Sequence, residues 1–244
     1  MQPPTLARSA GLLYLIVIIG AAFAVSVRNS VIEPGDAATT ADNIRASATL
    51  FRVGLVVDLV AGLIFLLTAM ALYVLLKHVS QLVAAVMVIF VALGGAVATA
   101  NLLNHYAALT IATTETYTQA LGGAGADALV LLHIDMFTNG NTLNHIWFGP
   151  WLVPLAYLVI RSGCFPRVLG VLQIIGCVGY LGWLFTTFLA PGAPAGLITA
   201  FLAIAVLGEA PFVLWLAIRG IRVATAATPS PPGPTSPIHA GHVR

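Results

Sequence analysis

Of the 244 residues, 59% are hydrophobic and only 7% charged, and the mean hydropathy is +1.00. Soluble domains carry about 25% charged residues, so this composition excludes a soluble monomer. The net charge of +2 arises from ten basic residues scattered singly, which form no basic patch or stripe and exclude nucleic acid as a partner.

In chain order, a short polar lead with Arg8 precedes an apolar run over residues 10–27. At 1.5 Å per residue a helix there just crosses the ~30 Å hydrocarbon layer. Ala22-Phe-Ala24 resembles a signal-peptide cleavage site, but the run exceeds the ~7–15 residues of a usual signal core. A first membrane span is therefore expected. Residues 28–49 form a polar loop in which Pro34-Gly35 marks a turn and Asp36 is placed to cap a short interfacial helix.

The second span covers residues 50–76 and contains Asp58, with Arg52 near its outer end. The third covers residues 82–107. Between 113 and 140 the chain is polar, then Gly-rich, then apolar only from Ala128 to Ile134, too short to cross. That pattern predicts a re-entrant or interfacial helix between spans three and four, ended by Asn139-Gly140. The fourth span covers 141–160, the fifth 168–189 and the sixth 195–218, with Glu209 and a kinking Pro211 inside it. The expected fold is an all-α membrane protein with a six-helix transmembrane domain over residues 1–222. A disordered Pro/Ser/Thr-rich tail is expected over 223–244.

One pentapeptide pattern occurs twice, as Asn101-Leu-Leu-Asn104-His105 and Asn141-Thr-Leu-Asn144-His145. Positions i, i+3 and i+4 share a helix face, so each copy aims two amides and an imidazole one way. Seven of the ten basic residues fall on the side shared by the termini and the 77–81 and 161–167 turns. By the positive-inside rule both termini are cytoplasmic, the pentapeptides open outward, and the plasma membrane is the expected location.

Several stretches taken in order resemble the bacterial multi-pass membrane family called domain of unknown function 4386. They are Gly11-Leu-Leu-Tyr-Leu15, Pro34-Gly-Asp-Ala-Ala38, Ala41-Asp-Asn-Ile44, Leu50-Phe-Arg52 before Asp58, and Ala71-Leu-Tyr-Val-Leu-Leu76. Later ones are Phe148-Gly149, Arg161-Ser-Gly163, Pro166-Arg-Val-Leu-Gly-Val171, and Gly208-Glu209 before Leu214-Trp-Leu216 and Gly220. The resemblance implies a six-helix membrane domain and carries over no catalytic residue. Asp58 and Glu209 look like part of the family pattern, whereas the pentapeptides look like a departure from it.

Ionisable side chains inside a membrane are costly and mark functional candidates. Asp58 lies ~12 Å inside the outer boundary and Glu209 ~21 Å, too far apart to share a proton but suited to bracketing a ligand. Asp58 could hold a proton or a cation, or pair with Arg52 to lock helices. Glu209 could instead support the backbone freed by Pro211. His105 and His145, with His133 between them, could orient or deprotonate a substrate.

Three imidazoles and Asp135 form a metal-binding inventory, but no HExxH or HxxxH spacing accompanies them, so no metal ligand is assigned and the cofactor stays open. Cys164 and Cys177 have neither disulfide nor ligand spacing. Tyr180, Trp183 and Trp147 fit an aromatic belt, with Trp151 one turn deeper; some of these rings could line a pocket instead.

Two functions fit. One is an intramembrane enzyme acting on a lipophilic small molecule, with Asp58, Glu209, His105 and His145 as acid–base residues. Its binding set would be Asn101, Asn104, Asn141, Asn144, His133, Trp147 and Tyr180. The other is a non-catalytic module, a small proton-linked carrier or an accessory subunit that binds membrane lipid or a partner.

Overall fold

The computed structural model describes residues 3–221, so the tail expected at 223–244 lies outside the described residues. The elements are α1 (Pro3–Val31), α2 (Ala37–Ala46), α3 (Ala48–Leu76), α4 (Gln81–Thr113), α5 (Glu115–Phe148), α6 (Leu152–Ser162), α7 (Arg167–Leu189) and α8 (Ala195–Ile218), with no strand among the described residues. Six stretches are long and apolar enough to cross a membrane: α1, α3, α4, α5 with α6, α7 and α8.

These six pack as a closed ring. α1 touches α3, α3 touches α4, α4 touches α5, α5 touches α7, α7 touches α8, and α8 returns to α1. Leucines, isoleucines and valines such as Ile19, Leu63 and Leu207 stay exposed on the outside, the pattern of a bundle whose solvent is lipid. Inside, Tyr14, Phe65, Leu72, Met87, Trp151, Leu155 and Phe212 belong to one buried core. α7 and α8 approach through glycine, since a Cβ on Gly208 would collide with the backbone of Gly176; small residues let membrane helices close in this way.

α4 has 33 residues and is about 50 Å long against a ~30 Å hydrocarbon layer, and α5 has 34 residues interrupted by a break at Gly122. Their overhang, with α2 and the start of α3, builds a second core of Ile44, Phe51, Leu109, Val130 and Ile134. Asp36 caps α2 by accepting from the Thr39 amide at 2.9 Å, as the Pro-Gly-Asp turn predicts. Arg45 ties the three elements together: it pairs with Asp42 and Asp127 and donates to the Ala112 carbonyl at 3.0 Å.

Several expected boundaries move. α1 continues to Val31, so Arg28 is helical rather than part of a loop. The first pentapeptide lies within α4, two turns before its end, and the second lies in the last turns of α5. Asn139-Gly140 does not stop α5; its backbone breaks instead at Gly122, at φ 74°. Gly140 serves close approach rather than a turn, because a Cβ there would overlap the Asn101 side chain. The fourth crossing is in two pieces, with a turn at 149–151 between α5 and α6, where Pro150 and Pro154 lack the amides a continuous helix would need.

Candidate functional site

Three helices each contribute one stripe to a central space. On α1 the stripe is Tyr14, Val17, Ile18, Ala21 and Arg28; on α3 it is Asp58, Ala61, Gly62 and Phe65; on α4 it is Gly95, Ala98, Thr99 and Leu102. These are i, i+3, i+4 and i+7 positions, the spacing that keeps side chains on one face. With Phe137, Asn141 and Phe148 of α5, Tyr180 of α7 and Glu209 of α8, they line a cavity of about 300 Å³. That volume is at the lower end of the range typical of small-molecule sites.

The walls are mainly apolar and the two ends are polar. At one end Arg28 pairs with Asp58, and the guanidinium lies 5.0 Å from the centre of the Phe137 ring. Asp58 thus takes its partner from α1, not from Arg52, which is exposed. Arg52 is nearer in sequence but projects from a different face of α3, while Asp58 turns inward toward Arg28.

At the other end the Glu209 carboxyl accepts from the Tyr14 hydroxyl and, at 2.8 Å, from the Tyr180 hydroxyl. Both carboxyl oxygens are engaged by phenols of α1 and α7. That cross-helix contact, rather than support of the backbone before Pro211, is the role its geometry displays. Tyr14 and Arg28 are 14 residues apart on α1, about 21 Å, so the polar ends are separate.

The pentapeptides meet each other instead of converging on this space. His133 Nδ1 lies 3.3 Å from the Asn104 side-chain Oδ1, Asn104 donates to Asn101 at 3.1 Å, and Asn101 donates to Asn141 at 3.2 Å and to the Phe137 carbonyl at 2.8 Å. Asn144 donates to the Gly94 carbonyl at 3.0 Å. All of these bonds except Asn104–Asn101, which lies within α4, join α4 to α5. Of the binding set read from sequence, only Asn141 and Tyr180 line the cavity; Trp147 packs on Phe90.

The imidazoles are dispersed. His105 is fully buried between the rings of Phe51 and Phe137, with no partner at either nitrogen. His145 Nδ1 lies 3.0 Å from the Thr142 carbonyl, and its ring rests against Tyr180 and Trp183. Among the described residues no three His, Cys, Asp or Glu side chains gather as a metal-binding group.

Arg28, Tyr14 and Phe137 are the residues that sequence reasoning passes over. The signal was present for two of them, because Tyr14 and Arg28 lie four helical turns apart on the face of α1 that also carries Val17 and Ala21.

Six membrane-length helices in a closed ring, apolar outside and with ionisable groups turned inward, define an integral, multi-pass helical membrane protein. The chain belongs to the family described as Domain of unknown function (DUF4386), which it matches over residues 9–220. It is also similar to an "Uncharacterized protein" of Archaeoglobus fulgidus, at 34% identity over 82 residues, covering 34% of this chain and 47% of that one. The match thus spans about half the length of that relative. No solved structure matches the chain.

Proposed function

We propose that this protein is a membrane-embedded binding module whose central cavity holds an elongated lipophilic small molecule with polar groups matched to the two ends. The observation that carries this reading is the cavity itself. Its glycines, Gly62 and Gly95, would each direct a Cβ into open space, although glycine inside a helix costs up to about 1 kcal/mol relative to alanine. Empty volume kept at that cost is what a ligand site needs. The lining donors and acceptors would orient the guest, since Arg28 can exchange Asp58 for a ligand anion and the phenols can share Glu209 with a ligand hydroxyl. The positive-inside reading turns the α2 end outward at the plasma membrane, so the guest would come from the outer leaflet.

The test is purification in native lipid, followed by mass spectrometry of small molecules released from wild type and from Gly62→Leu/Gly95→Leu. Leucine at these positions fills the cavity without meeting a neighbour at Cβ. A lipophile present near one per chain in wild type and at least tenfold depleted in the double variant, at a melting temperature no lower than wild type, is the expected result. Equal recovery from both proteins would refute the binding module.

The acid–base reading has one observation in its favour: Glu209, Tyr14 and Tyr180 line the same cavity, a carboxyl and two phenols within reach of one guest. His105 and His145 are not among its lining residues. If the module is an enzyme, Glu209→Gln retains the wild-type guest but accumulates it unconverted in cells. An epitope at the C-terminus that stains intact cells would overturn the orientation.

A further inference from the structure

We propose a second site, at the opposite end of the molecule from α2, for the phosphate-bearing headgroup of an anionic phospholipid. A pocket of about 390 Å³ lies between the start of α1 and the end of α8, lined by Arg8, Trp215, Ile218, Arg219, Gly220 and Ile221. This site is independent of the central cavity and shares no lining residue with it.

Its charge meets no carboxylate among the described residues. The ion pairs among the described residues engage only Arg28 and Arg45, leaving the guanidiniums of Arg8 and Arg219 without a carboxylate. Glu209, the acid on the same helix, is ten residues from Arg219, about 15 Å away. Lys77, Arg161 and Arg167 stand at the helix ends on the same side. A planar guanidinium fork suits a phosphate better than a diffuse surface charge does.

Local structure favours an anion here as well. The N-terminal end of α1 directs its positive pole toward this side. The negative pole of α8 is blunted, because the amides of Arg219 and Gly220 close onto the Trp215 and Leu216 carbonyls at 2.8–3.2 Å. Gly220 takes φ +66°, folding the chain back beside Arg8. Arg219 is held over the Trp215 ring at 4.9 Å, a cation–π contact that orders the side chain.

Ile218 is 70% exposed and, with Ile221, offers an apolar wall where acyl chains would begin. Basic pockets between membrane helices at an interface bind anionic headgroups by this chemistry. A phosphate group is the shared chemistry, and the membrane lipid is its source.

The full chain is reconstituted in phosphatidylcholine nanodiscs containing a minority of phosphatidylglycerol, and lipid retained by the released protein is counted by native mass spectrometry. Wild type is expected to retain phosphatidylglycerol over phosphatidylcholine. Arg8→Gln/Arg219→Gln should lose that preference by about tenfold or more. Lys77→Gln/Arg161→Gln, which removes the same charge from the same end outside the pocket, should keep it.

Both substituted arginines are exposed, so the melting temperature should not move. Equal loss in the two double variants would reduce the effect to diffuse surface charge and overturn the site. No preference in wild type would do so too. Displacement of phosphatidylglycerol by millimolar inorganic phosphate would reassign the pocket to soluble phosphate.

Discussion

Arg28 of α1 and Asp58 of α3 are ion-paired at one end of the central cavity, with side chains only 12% and 18% exposed. The pair joins two helices that follow each other around the ring, and through the Phe137 ring it also reaches α5. Arg28 is thus the point where the α2 end of the bundle is tied across its own cavity.

Removing one partner strands the other charge in a mostly buried setting, which costs about 3–5 kcal/mol. Arg28→Ala and Asp58→Ala should therefore each lower the melting temperature in detergent. Arg28→Met/Asp58→Leu should recover most of the loss. A double variant as unstable as the sum of the singles would show that the two residues act separately.

Tyr14→Phe and Tyr180→Phe each remove one donor from Glu209 and leave ring packing intact. Polar bonds between membrane helices contribute about 0.6–1.7 kcal/mol, so each single change should be mild. The pair should cost more than the sum, because the second removal leaves the carboxyl without a donor. A double-mutant cycle on thermal unfolding measures that excess; strict additivity would mean that the two phenols do not share the carboxyl.

Two glycine substitutions should move stability in opposite directions. Gly140→Ala drives a methyl into the Asn101 side chain, breaking the amide ladder between α4 and α5. Gly95→Ala meets nothing and gains helix propensity of up to about 1 kcal/mol. Melting temperatures of the two variants, lower and equal-or-higher than wild type respectively, check the assignment.

His105→Leu should be neutral or stabilising, because neither ring nitrogen has a partner and apolar replacement of an unpaired buried polar group removes a desolvation penalty. Unfolding in detergent reads this directly. A strong loss of stability would reveal a partner for the imidazole.

Asp36 is exposed, and its acceptance from the amide and hydroxyl of Thr39 holds its carboxyl below the ordinary aspartate range. A depressed folded-state value stabilises above the unfolded value and is lost as pH falls through the folded one. Amide-exchange protection factors at Thr39 and Thr40 should thus fall below about pH 4. Asp36→Asn, which still accepts at the cap, should remove that pH dependence.

Most of the bundle was legible in the linear chain. Apolar runs of membrane length pointed to the six candidate membrane spans, and Pro34-Gly35-Asp36 located α2, because both signals are local. Where Asn139-Gly140 suggested a stop, the same dipeptide allowed α4 to approach α5, a distinction that depends on what lies 40 residues away. The duplicated Asn residues likewise looked like a site and proved to bond α4 to α5, while His105 and His145 do not, and of these six Asn and His side chains Asn141 alone lines the cavity.

Sequence by itself determined the solvent of this protein, since 7% charged residues leave too little polar surface for water. It also determined that Asp58 and Glu209 must turn inward, because lipid cannot solvate them. Only the tertiary structure decided what they meet there. Arg28 and Tyr180 come from the neighbouring membrane helices α1 and α7, whereas Tyr14, 195 residues from Glu209, is brought to it by closure of the ring between α8 and α1.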